Sequence, residues 1–68
     1  MESEFLKLCS ELEALAKSAG VHIDMNVHFG PAEVELLVRE RGAFTESFFQ
    51  SAGTLEESAH AIRREMAD

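Results

Sequence analysis

The chain has 68 residues with 13 Asp and Glu against 6 Lys and Arg, a formal charge of −7, 46% hydrophobic residues, one Cys and one Pro. A chain this short buries only about 60% of the surface its unfolded form exposes, so residues 1–68 make one compact domain with no room for a multi-residue active site and its supporting shell. The acidity excludes the basic stripe that holds a phosphate backbone, and the regular spacing of the aliphatic residues excludes a disordered acidic tail.

Ser3 caps a helix in which Phe5, Leu8, Leu12, Leu15 and Ala19 recur at spacings of three and four, with Cys9 and Ala16 widening the stripe and Gly20 closing it. From Val21 the pattern changes to alternation. Val21, Ile23, Met25, Val27 and Phe29 face one side of a strand while His22, Asp24, Asn26 and His28 face the other. Gly30-Pro31 ends it, and Glu33 to Glu40 resumes the alternation with Val34, Leu36 and Val38 inward, which predicts an antiparallel hairpin. Keeping the apolar faces together leaves two registers, His28 opposite Glu33 or His28 opposite Glu35. The second also sets Asp24 against Arg39.

Arg41-Gly42 marks another turn, and Ala43 to Ser51 is expected to form a third strand with Phe44 and Phe48 on the core face and Phe49 on the other; its rival is a short helix capped by Thr45. Thr54-Leu55-Glu56-Glu57 has the form of a capping box, and Leu55, Ala59, Ile62 and Met66 mark the buried face of a last helix. The expected fold is α+β: helix, strand, strand, strand, helix, with a three-stranded antiparallel sheet and both helices on one face. The core then takes Phe5, Leu8, Leu12, Leu15, Ile23, Met25, Val27, Leu36, Val38, Phe48 and Ile62. The other face of the sheet is left bare.

Few residues suit chemistry. His22, Asp24 and His28 suggest metal ligands, but His22 and His28 stand about 20 Å apart on a strand, too far to share an ion, so no metal is expected. Cys9 beside an apolar stripe is expected to pack as a small hydrophobe rather than to attack a substrate. No glycine-rich loop precedes a helix, so no nucleotide or other cofactor is expected. Glu56 and Glu57 sit where acids stabilise a helix N-terminus. An enzyme is therefore not expected. One cysteine makes no internal disulfide, and an acidic start with no continuous apolar stretch lacks the features of a secretory signal or membrane span, so the cytoplasm is the expected compartment.

The bare sheet face is the most informative surface. It is expected to combine Asp24, Glu33, Glu35, Glu40 and Glu46 with two apolar anchors, Leu37 and Phe49. Such a surface suits a protein partner with a basic surface, with no direct nucleic acid and no membrane. The helices offer a second acidic surface through Glu4, Glu11, Glu56, Glu57 and Glu65. In size, acidity and layout the chain resembles the small accessory proteins of phages and mobile elements, including anti-CRISPR proteins, although no single motif carries the likeness. The resemblance implies an inhibitor that occludes a nucleic-acid-binding surface of its partner by charge mimicry. The alternative is a structural or regulatory small subunit that pairs with a copy of itself or docks into a larger assembly, because a marginal core and an open sheet both gain from association.

Overall fold

The computed structural model describes residues 3–68 and has the order expected: α1 (Glu4–Ala19), β1 (His22–Phe29), β2 (Val34–Arg41), β3 (Glu46–Gly53) and α2 (Leu55–Ala67). The strands form one antiparallel sheet in the order β1-β2-β3. Both helices lie on one face of it. Leu8 and Leu12 of α1, Leu36 and Val38 of β2, and Ala59 and Ile62 of α2 are buried together, with Phe5, Ile23, Met25, Val27, Phe49 and Met66 packed around them.

Each helix is delimited by local chemistry. The Ser3 side chain accepts from the Leu6 amide, and Gly20 closes α1 with φ 66°, a left-handed conformation that costs a residue with a Cβ extra energy. Gly53 has φ 151°, which favours glycine on backbone grounds because a Cβ there would meet only ordinary contacts with Glu57. The chain turns there from β3 into α2. Thr54 and Glu57 complete the capping box in both directions, at 3.0 and 3.1 Å. Thr54→Ala is therefore expected to cost about 1 kcal/mol, which lowers the melting temperature of a domain this size by roughly 4–8 °C. Thermal unfolding followed by circular dichroism tests this.

The two helices begin at the same end of the sheet, where their positive dipole ends and unpaired amides crowd together. Acids answer them. Glu56 of α2 reaches across to accept from the Phe5 amide of α1 at 2.8 Å. Two turns further along α2, Arg63 hydrogen-bonds Glu4 and lies 2.7 Å from Glu11, straddling α1 from the side. The buried Ser58 hydroxyl donates to the Val34 carbonyl at 3.2 Å, tying α2 to the start of β2.

The hairpin takes the register that sets His28 opposite Glu35 and Asp24 opposite Arg39. The third element is a strand, as expected, but it begins at Glu46. Residues 42–45 make the preceding turn, closed by the Gly42 amide donating to the Thr45 carbonyl at 2.8 Å. Phe44 is thus in the turn and 99% exposed. The facing of this strand corrects the sequence expectation: Phe49 lies opposite Val38 and packs on the core, while Phe48 lies opposite Arg39 and points away, 56% exposed. The physical reason is the whole set of inward side chains. With Phe49 inward, the other partly buried members of β3 are Ser51 and Gly53, small enough for α2 to lie closely over that end of the strand, while Ser47 at the far end stays exposed. With Phe48 inward, Gln50 would be buried without a clear partner, at a cost of roughly 2 kcal/mol or more.

Candidate functional site: the open face of the sheet

No helix covers the second face of the sheet. The period of two along each strand places His22, Asp24, Asn26 and His28 of β1, Glu35, Leu37, Arg39 and Arg41 of β2, and Glu46, Phe48, Gln50 and Ala52 of β3 there. Ladder pairing arranges them in rows. One row is Asp24, Arg39 and Phe48; the central row is Asn26, Leu37 and Gln50; the next is His28, Glu35 and Ala52. Arg41 and Glu46 face each other beyond the first row.

The charges on this face are largely engaged with one another. Asp24 Oδ2 lies 3.3 Å from Arg39 Nη2 and 3.1 Å from Arg41 Nη2. Glu35 accepts from Gln50 Nε2 at 2.9 Å and lies 3.5 Å from His28 Nδ1. Between these groups, Asn26, Leu37, Arg39 and Phe48 line a shallow depression of about 240 Å³. The two apolar side chains are diagonal neighbours in adjacent rows and line the same depression, so they form a single apolar spot rather than two isolated residues.

The residues expected at the site divide accordingly. Asp24, Glu35 and Leu37 share the open face as predicted. Glu46 stands at its far end, opposite Arg41. Glu33 precedes β2, where its carbonyl accepts from the Gly30 amide at 2.9 Å, and it lines a depression at the opposite end of the sheet beside the start of α2. Glu40 is in step with Leu36 and Val38 and so belongs to the helix side, opposite Ile23 and Ser47. Phe49 is a core residue, and it is Phe48 that stands on the open face. The sequence carried one signal for this exchange: Phe48 shares its parity with Glu46 and Gln50, the polar positions of the strand, whereas Phe49 shares its parity with two serines.

The acids of the helices do structural work. Arg63 hydrogen-bonds Glu4 and, with its own charge and that of Lys7, holds the Glu4 carboxyl below the usual carboxylate range. The Thr54 backbone and hydroxyl do the same for Glu57. Arg63, hydrogen-bonded to Glu11 and Glu4, holds its own proton more tightly than usual.

Among the described residues no group of three or more His, Cys, Asp or Glu converges as a metal site would require. A separate cleft of about 240 Å³ lies between α1 and β1, lined by Cys9, Leu12, Glu13, Ala16, Ile23 and Met25. It exists because Cys9 and Ala16 are short where α1 faces the sheet. No described helix is long and apolar enough to cross a membrane. No family model matches the chain, and neither a curated protein nor a solved structure matches it.

Proposed function

We propose that this protein is a non-enzymatic binding module, a small regulatory or structural subunit that docks a protein surface onto the open face of its sheet. The observation that carries this reading is the apolar spot made by half-buried Leu37 on the central strand and exposed Phe48 on the edge strand beside it, on a face most of whose charges are already paired. Desolvating paired charges costs less than desolvating free ones, and an aromatic at the centre of a polar rim is the usual anatomy of a binding hot spot. Leu37→Asp combined with Phe48→Ser tests it. Both side chains lie off the core, so the variant is expected to melt within about 1 kcal/mol of wild type. Proteins held by immobilised wild type are expected to be lost from the variant. Equal retention by both would remove the sheet face from the interaction.

A second reading, occlusion of a basic and nucleic-acid-binding surface of a partner, draws on the net charge of −7 and on the likeness in style to anti-CRISPR proteins. Glu33, Glu40, Glu46, Glu65 and Asp68 make no ion pair among the described residues and remain available to a cationic surface. Binding of this kind weakens as salt rises through the range where the screening length falls below about 10 Å. A complex held by Leu37 and Phe48 persists over that range.

A further inference from the structure

We infer that the partner of the open face is a second copy of this chain, packed sheet against sheet with the strands of the two copies antiparallel and the two-fold axis running along the central row through Leu37. This inference rests on the reading of the open face as an interface, and it goes further by naming the occupant and the register.

The three rows of side chains carry it. In aligned packing, two sheets meet face to face about 10 Å apart with their strands within about 30°. A two-fold axis along the central row lays β1 of one copy over β1 of the other and reverses the order of the rows. Leu37 then meets Leu37. The row of Asp24, Arg39 and Phe48 meets the row of His28, Glu35 and Ala52. Every pair in that superposition is complementary: Asp24 over His28, Arg39 over Glu35, and the large Phe48 over the small Ala52. Each occurs twice by symmetry, as an isologous interface requires.

The other two-fold arrangement, with its axis along β2, fails the same test. It stacks Arg39 on Arg39 and Glu35 on Glu35, and it sets Asp24 against the Phe48 ring. Like charges facing across a contact are costly, so of these two arrangements the face selects the first.

Three strands spaced about 4.8 Å apart and eight residues long at about 3.3 Å each give a face of roughly 14 by 26 Å. That is about 360 Å² of flat area per copy, below the size of stable specific interfaces, so the pair is expected to be weak and to exchange with monomer at micromolar or higher concentrations.

Sedimentation equilibrium of the full chain from low micromolar to millimolar concentration, in buffer of physiological salt, tests the inference through two charge reversals. Glu35→Arg sets arginine against arginine at both symmetry-related contacts, and Arg39→Glu sets glutamate against glutamate there, so each variant alone is expected to dissociate at least about tenfold more readily than wild type. Mixed in equal amounts, the two variants pair an arginine of one chain with a glutamate of the other at both contacts. The mixture is therefore expected to recover the wild-type dissociation constant within a few-fold. Circular dichroism of each variant checks that the fold is retained, and Leu37→Asp, which leaves these charges alone, is expected to abolish the dimer. A wild-type chain that stays monomeric throughout overturns the inference, and so does a dimer that the reversals leave intact or that mixing does not rescue, since it would use a sheet edge or the helices instead. Protein capture that depends on Leu37 and Phe48 from a chain found to be monomeric would retain the binding-module reading while discarding self-pairing.

Discussion

Leu36→Ala is expected to remove most of the stability of the protein, while Leu37→Ala, one residue along the same strand, is expected to remove far less of it. Leu36 is fully buried at the meeting of β2 with both helices. Deleting a buried leucine side chain typically costs about 2–5 kcal/mol, part of it transfer free energy and part the cavity left behind. A domain of this size has only about 3–10 kcal/mol in total at the usual stability per residue. The core is made of few residues, so no second cluster compensates, and the Leu36 variant is expected to be substantially unfolded at 37 °C. Leu37 points to the open face and touches no helix. Half-buried on the central strand, it is expected to cost no more than about 1 kcal/mol when truncated. Urea unfolding followed by circular dichroism separates the two. Similar midpoints for both variants would mean that the sheet is not one-sided.

Acid is expected to unfold the protein by loosening the ends of its helices. Glu4 and Glu57 hold their protons less tightly when folded than when unfolded, the first because of Arg63 and the second because of the Thr54 hydrogen bonds. Protonation therefore favours the unfolded chain. The stabilisation from both groups is complete above the ordinary carboxylate range and is lost as pH falls through their lower, folded values. Melting temperatures measured from neutral pH down to about pH 2 are expected to stay level and then to drop through the acid range. Glu57→Gln keeps the capping box, because an amide oxygen also accepts from the Thr54 amide, but it does not titrate there. Its curve is expected to fall less steeply than that of wild type. Arg63→Gln is expected to remove the share that belongs to Glu4, so that this variant differs from wild type at neutral pH and converges on it in acid. A difference that stays constant with pH would assign the role of Arg63 to packing of its aliphatic stem instead.

Both expectations depend on the helices lying on one side of the sheet, and that arrangement also explains why the protein has a surface to offer. In a sheet with one covered face, the alternate residues of each strand are committed to opposite tasks. Leu36 and Val38 hold the fold, and Leu37 is left free of it. A half-buried leucine alone is ordinary. Here it adjoins an exposed phenylalanine across the ladder, inside a ring of charges already satisfied, and the rows on either side complement each other when one copy is turned over onto another.

Local chemistry in the sequence determined the order of elements, the caps at Ser3 and Thr54, the closure of α1 at Gly20 and the alternation that sends Leu36 inward and Leu37 outward. These are legible because each depends on residues within one or two turns of one another. Tertiary structure decided the rest. The hairpin register, compatible with two pairings in the sequence, was settled when His28 met Glu35 and Asp24 met Arg39 across the sheet. The facing of β3 was settled by the close passage of α2, which needs the small Ser51 and Gly53 beneath it and so turns Phe49 in and Phe48 out. The acids fall into place for the same reason. Sequence order set Glu33, Glu35 and Glu40 close together along the chain, but the end of the turn and the pleat of the strand send them to three different surroundings, and Asp24 pairs with Arg39 of its own row and Arg41 of the next. Charge composition is a property of the chain, whereas which charges stand free is decided only by what the fold sets beside them.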